Sequence, residues 1–125
     1  ENLSLQAGMP KAALALADDL SLKIVLQYEN QAAEIYGSKY IRHPAVDVLL
    51  KMINEFNRQG GRQRAGFYDY TDPQRRLWKD LTKHFPTTKH DFSKDEILER
   101  LLFVQVIEAF WCLQEASFRL SKKET

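Results

Sequence analysis

Residues 60–70 read Gly60-Gly61-Arg62-Gln63-Arg64-Ala65-Gly66-Phe67-Tyr68-Asp69-Tyr70 (GGRQRAGFYDY), a basic turn holding three of the chain's five glycines and then abruptly aromatic. In a chain that otherwise carries helical patterns, such a stretch can cradle a phosphate, meet a nucleic acid, or end one helix and begin a short strand. It lacks the Gly-Lys-Ser/Thr with which a P-loop holds phosphate and magnesium. A helical pattern precedes it and an aromatic run comes after, against the strand-to-helix setting of a dinucleotide fingerprint. The residue pattern favours a helix stop at Gly60 and Gly61, a solvated basic turn, and an aromatic arm packed on the core. Arg58, Arg62 and Arg64 with Phe67 and Tyr68 could also serve a single-stranded nucleic acid, arginines on phosphates and rings under bases.

On the N-terminal side, Pro10 to Ala17 is small and apolar, and Asp18-Asp19 is placed to cap a helix beginning at Leu20. Leu22, Val25, Leu26, Ala32, Ala33 and Tyr36 recur three and four apart, which predicts a helix from about residue 20 to 36, stopped by Gly37. Pro44 suits a first helical position and Asp47 a first turn. Val46, Leu49, Leu50, Ile53 and Phe56 make one apolar stripe, so a second helix runs from 44 to near Arg58–Gly60.

On the C-terminal side, Phe67-Tyr68-Asp69-Tyr70 is short, aromatic and bounded by turn formers, a lone strand or an extended arm. Asp72-Pro73 starts a predicted short helix carrying Leu77, Trp78, Leu81 and Phe85, closed by Pro86. Residues 87–93 are polar and unpatterned, a linker. Ser93 and Glu96 then form a capping box. The helix beyond it, 94–120, is about 40 Å long at about 1.5 Å per residue. Between Leu101 and Leu113 only Gln105, Glu108 and Cys112 interrupt its apolar run, so it predicts cover on more than one side, within the domain or from a partner.

With 125 residues the chain is the size of one domain, and 18 basic against 17 acidic residues produce no field that argues for a nucleic-acid or membrane partner. The single cysteine, Cys112, has no internal disulfide partner and reads as core filler in a reducing, cytoplasmic setting. No apolar run approaches membrane-spanning length, and the first ten residues do not resemble a signal peptide. A start at Glu1 predicts a processed or excised piece. His43, His84 and His90 lack metal-ligand spacing, so no metal site is expected. Asp18 and Asp19, as adjacent carboxylates at a helix start, read as caps rather than an acid pair. No catalytic residue is assigned.

Four segments in order, GMPKAALALADDLSLKI (8–24), HPAVDVLLKMI (43–53), GGRQRAGFYDY (60–70) and RRLW (75–78), resemble the C-terminal domain of 3-hydroxyacyl-CoA dehydrogenases. RLLFVQVIEAFWCLQEA (100–116) resembles the first helix of the second C-terminal repeat in multifunctional, fatty-acid-oxidising members. The resemblance implies an all-α fold, the helical, dimerisation-type C-terminal domain, with one short extended aromatic arm. Residues 1–86 would be the latter part of the first repeat, 87–93 a linker, and 94–125 the first helix of the second. It implies NAD-dependent oxidation of 3-hydroxyacyl-CoA in β-oxidation by the parent enzyme, with the catalytic His-Glu pair and the substrate-binding asparagine upstream. This piece would be inactive alone and would bind NAD at most loosely. It would form the wall of the acyl-CoA cleft, against the nicotinamide-binding domain, and a homodimer or pseudo-dimer contact through the 94–120 helix.

In that family the second basic residue of the closing loop reaches towards the cofactor, and Arg62 takes that position. Phe67 and Tyr68 match the aromatic pair that anchors the loop. The sequence departs from the pattern at Arg64, where the family has glycine, and at Ala12-Ala13, where it has Gly-Pro. The alternative is a stand-alone helical protein-interaction module, with weak single-strand binding through Arg58, Arg62 and Arg64.

Overall fold

The computed structural model describes residues 1–71, 74–86 and 92–121, and side chains of the last helix as far as 116. In chain order the elements are α1 (Asn2–Gln6), α2 (Ala13–Leu20), α3 (Leu22–Tyr36), α4 (Ala45–Leu50), β1 (Tyr68–Asp69), β2 (Arg76–Leu77), the single turn α5 (Leu81–His84), and α6 (Lys94–Ser121). Short 3-10 turns cover Gly37–Lys39 and Gly61–Gln63, and a π-helical turn, Lys51–Glu55, extends α4. The fold is therefore mostly helical, as the patterning predicts. Two compact units divide it, Lys11–His90 and a second made of Glu1–Pro10 with Asp91–Thr125.

In the first unit the core is Leu22, Leu49, Met52, Ile53 and Phe67, with Leu22 and Met52 fully buried. Val25, Leu26 and Phe56 pack around it. The stripes read from the sequence on α3 and α4 thus meet, and each fully buried aliphatic side chain is worth about 1.5–3 kcal/mol of transfer free energy. Gly37, at φ +52°, stops α3 where predicted. Pro44 sits one residue ahead of α4, with the backbone already helical. The π turn sends the Phe56 N–H to the Lys51 carbonyl at 3.1 Å and the Arg58 N–H to the Met52 carbonyl at 2.8 Å. Asn57, next in the chain, adopts φ +52° and ends the helix.

Several local expectations are corrected. Residues 13–20 form α2, so Asp18 and Asp19 close one helix rather than cap the next. The residue at the start of α3 is Ser21, which makes no capping bond. The aromatic stretch is not a lone strand: Tyr68 pairs with Leu77 and Asp69 with Arg76 in a two-stranded antiparallel ribbon. Leu77 therefore belongs to a strand, and the helix predicted to carry it shrinks to α5. Asp72-Pro73, most of the 87–93 linker and His90 lie outside the described residues.

The second unit packs α1 against α6. The cap half of the predicted capping box forms, with the Glu96 N–H donating to Ser93 Oγ at 3.1 Å, while Glu96 Oε1 accepts from Arg100 at 3.0 Å. α6 keeps apolar side chains exposed, Phe103 at 59%, Phe110 at 63%, Trp111 at 54% and Leu113 at 68%, which leaves the partner form of the expected cover open. Cys112 is likewise exposed, not core filler. Among the described residues no helix is long and apolar enough to cross a membrane.

Candidate functional site

Asp18 lies on the face of α2 that also buries Ala15, and its side chain is fully buried. Its carboxylate receives the Phe67 N–H on Oδ1 at 2.8 Å, the Tyr68 N–H on Oδ2 at 2.9 Å and the Tyr70 hydroxyl on Oδ2 at 2.9 Å. A carboxylate out of water is costly unless donors surround it, and here the closing loop supplies them. The close approach explains two glycines. A Cβ on Gly66 would stand 2.1 Å from Asp18 Oδ1, and one on Gly60, at φ +68°, would stand 2.8 Å from the Asp18 carbonyl oxygen. Burial, then the hydrogen bond to Asp18 and the charges of Asp18 and Asp19, push the Tyr70 hydroxyl pKa well up. Tyr70 is a donor here and a poor base near neutral pH.

Arg58 grips the same loop from the other side. Its Nε donates to the Gly66 carbonyl at 2.7 Å, and Nη2 donates to the Tyr68 carbonyl at 3.1 Å and to Asp69 Oδ1 at 2.5 Å. The guanidinium also lies 4.5 Å from the Trp78 ring centroid, and the side chain is only 13% exposed. It is a structural clamp. The patch of three arginines read from the sequence is thereby reduced to two.

Arg62 and Arg64 are exposed and line an open cleft of about 830 Å³ within the first unit. Its opposite wall is the corner between α2 and α3, Asp19 to Ile24. Gln59 joins the walls: its carbonyl accepts the Leu22 N–H at 2.8 Å and the Ser21 hydroxyl at 3.2 Å. Lys11 pairs with Asp19 on the cleft's edge. The cleft can therefore hold an anion and shelter apolar surface on Leu20 and Ile24. Among the described residues no histidine or cysteine lines it.

Of the sequence candidates, Arg62, Phe67 and Tyr68 come together in one loop, with Phe67 buried in the core as anchor. His43 is exposed before α4, while His84 stacks on Trp78, centroids 5.3 Å apart, and neither approaches the cleft's lining. Among the described residues no cluster of His, Cys, Asp and Glu could hold a metal. Asp18 as the loop's anchor was missed. Part of its signal was present, since Asp18 lies three positions after Ala15 on the buried face of α2.

No known protein-family model matches the chain, and a search of curated proteins finds no match.

Proposed function

We propose that the chain is the helical part of a 3-hydroxyacyl-CoA dehydrogenase of the multifunctional, fatty-acid-oxidising kind, forming a wall of the acyl-CoA cleft and a contact with a second copy. One observation carries this reading. Leu16-Ala17-Asp18 and Gly66-Phe67-Tyr68 belong to separate segments of the resemblance, and the Asp18 carboxylate binds the backbone of Phe67 and Tyr68, up to 50 positions away. Motifs that matter jointly to one domain are expected to meet in this way. The exposed apolar sides of α6 support the second contact, since such area is normally covered in a working assembly.

In this reading the chain supplies no catalytic group. NAD, held by the nicotinamide-binding domain, would accept the hydride. The residues here fit only an edge contact: Arg62 is exposed, has no acidic partner among the described residues, and would present its charge to a cofactor phosphate. Arg64 and Ala12-Ala13 depart from the family pattern, and Arg64 adopts a φ of +56° where the family has glycine.

The reading frame upstream of the codon for Glu1 tests the proposal. An in-frame Gly-x-Gly-x-x-Gly after a strand pattern, then histidine, glutamate and asparagine, upholds it. A start codon immediately ahead of Glu1 overturns it.

A further inference from the structure

α3 is apolar on two sides. Leu22, Val25 and Leu26 turn into the core of the first unit. Ile24, Tyr28 and Ile35 lie on the far side and are 43%, 64% and 78% exposed. With Gln31, also exposed, they are spaced four, three and four apart, which at about 100° per residue places all four within about 60° of one another. A surface helix keeps that side polar unless something covers it.

The charges on α3 indicate what covers it. Lys23, Glu29 and Glu34 are its charged residues, and Glu29 is taken by the Tyr40 hydroxyl at 2.8 Å. Lys23 and Glu34 are exposed and have no ion-pair partner among the described residues. Eleven positions apart, about three full turns, they sit along the same edge of the stripe, one near each end. Their midpoint falls between Tyr28 and Glu29. That of Ile24 and Ile35 falls between Glu29 and Asn30, about 1.5 Å further along the helix. Charge and apolar surface are therefore arranged about nearly one centre, as a two-fold contact requires, since there residue i meets j and j meets i. Laid against a reversed second copy, the edge sets lysine against glutamate twice. A parallel copy would set lysine against lysine and glutamate against glutamate.

The geometry points to an antiparallel contact between the α3 helices of two copies of this chain, centred beside Tyr28, with Lys23 of each copy facing Glu34 of the other. It lies in the first unit, on a helix to which the dehydrogenase reading assigns no contact. It therefore stands or falls apart from that reading and from α6. Three large apolar side chains per copy fall short of a standard interface, so the pair is weak, with a dissociation constant of about 0.1–1 mM.

The test uses the full chain carrying Phe110→Glu, which removes the α6 contact and leaves a monomer at micromolar concentration. Amide-resolved NMR follows it at low salt from about 0.05 to 2 mM. Expected are saturable shifts at Ile24, Tyr28, Gln31 and Ile35, slower translational diffusion, and, in a mixed-label sample, contacts between Ile24 of one copy and Ile35 of the other. Tyr28→Glu should abolish all three. Lys23→Glu and Glu34→Lys each bring like charges together twice per pair and should weaken association by about fivefold or more. Both changes in one chain restore the pairing and should return it to within about twofold of the starting value. Lys51→Gln, exposed and on another element, should leave it unchanged. Absence of concentration-dependent shifts up to about 2 mM overturns the inference. A double swap no tighter than either single change overturns it as well, because a parallel or non-specific contact would behave so. Shifts confined to α6 also overturn it and assign the association to the second unit.

Discussion

The hydroxyl of Tyr70 donates to Asp18 Oδ2 at 2.9 Å, and that carboxylate also carries the N–H groups of Phe67 and Tyr68. One buried side chain near the end of α2 thereby positions the loop that forms one wall of the cleft. Replacing it with asparagine keeps the shape but puts an NH₂ group where an acceptor stood, so at least one loop donor faces another donor. Asp18→Asn is expected to cost about 2–3 kcal/mol, read as a lower urea midpoint. A loss below about 0.5 kcal/mol would mean that the carboxylate does not hold the loop.

The glycines rank by what a methyl group would meet. Gly66→Ala brings a Cβ against the Asp18 carboxylate and Gly60→Ala brings one against its backbone at positive φ, whereas Gly37→Ala finds nothing within 4 Å. Gly37→Ala is expected to cost about 1 kcal/mol, from its positive φ alone. Gly60→Ala and Gly66→Ala should each cost more than that and shift the amide signals of residues 66–70. Thermal melts of the three variants check the order, and equal losses would contradict it.

Tyr70 connects the site to alkaline pH. Burial and the Asp18 charge raise its pKa in the folded state above the ordinary phenol value, so folding holds its proton. Its contribution is full below about pH 10 and is lost as the pH rises further, because the unfolded chain then ionises first. The stability difference between the wild type and Tyr70→Phe should therefore stay level up to about pH 9 and narrow between about pH 10 and pH 11. A difference that is constant over this range would contradict the burial of the hydroxyl against Asp18.

Arg58 and Arg62 should behave oppositely although they lie on the same turn. Arg58 makes three donor contacts and lies over Trp78, so Arg58→Gln is expected to lose about 2 kcal/mol and Arg58→Lys to recover only part, for want of the fork. Arg62→Gln should change stability by less than about 0.5 kcal/mol. Urea unfolding of the three variants is the check, and a neutral Arg58→Gln would remove the clamp.

The uncovered sides of α6 predict self-association. Sedimentation of the wild type should show mass rising with concentration, and Phe110→Glu should return it to monomer, since both Phe110 and Trp111 are more than half exposed. A monomer at all concentrations would remove the second-copy contact from the proposed function.

Much of the helical framework was legible in the residues alone because its signals are local. Three-and-four spacing marked α3 and α4, Gly37 supplied a left-handed stop, and Ser93 with Glu96 announced the start of the last helix. The turn character of Gly60-Gly61 and the anchoring of Phe67 were readable in the same way. The identity of the elements could be read because hydrogen bonds within a helix join residues only four apart.

What only the tertiary structure decided is which side chains are consumed in holding that framework together. Asp18 and Asp19 look identical in sequence, yet one is fully buried under the loop and the other pairs with Lys11 at the surface. Arg58, Arg62 and Arg64 look like one basic patch, yet the first is a half-buried clamp and the other two line the cleft. The strand partner of Tyr68-Asp69 and the exposure of Cys112 were equally hidden. The physical reason is range: spacing along the chain determines which residues share a helix face. Whether a charge on that face is solvated or spent depends on donors and acceptors that arrive from as far as 52 positions away.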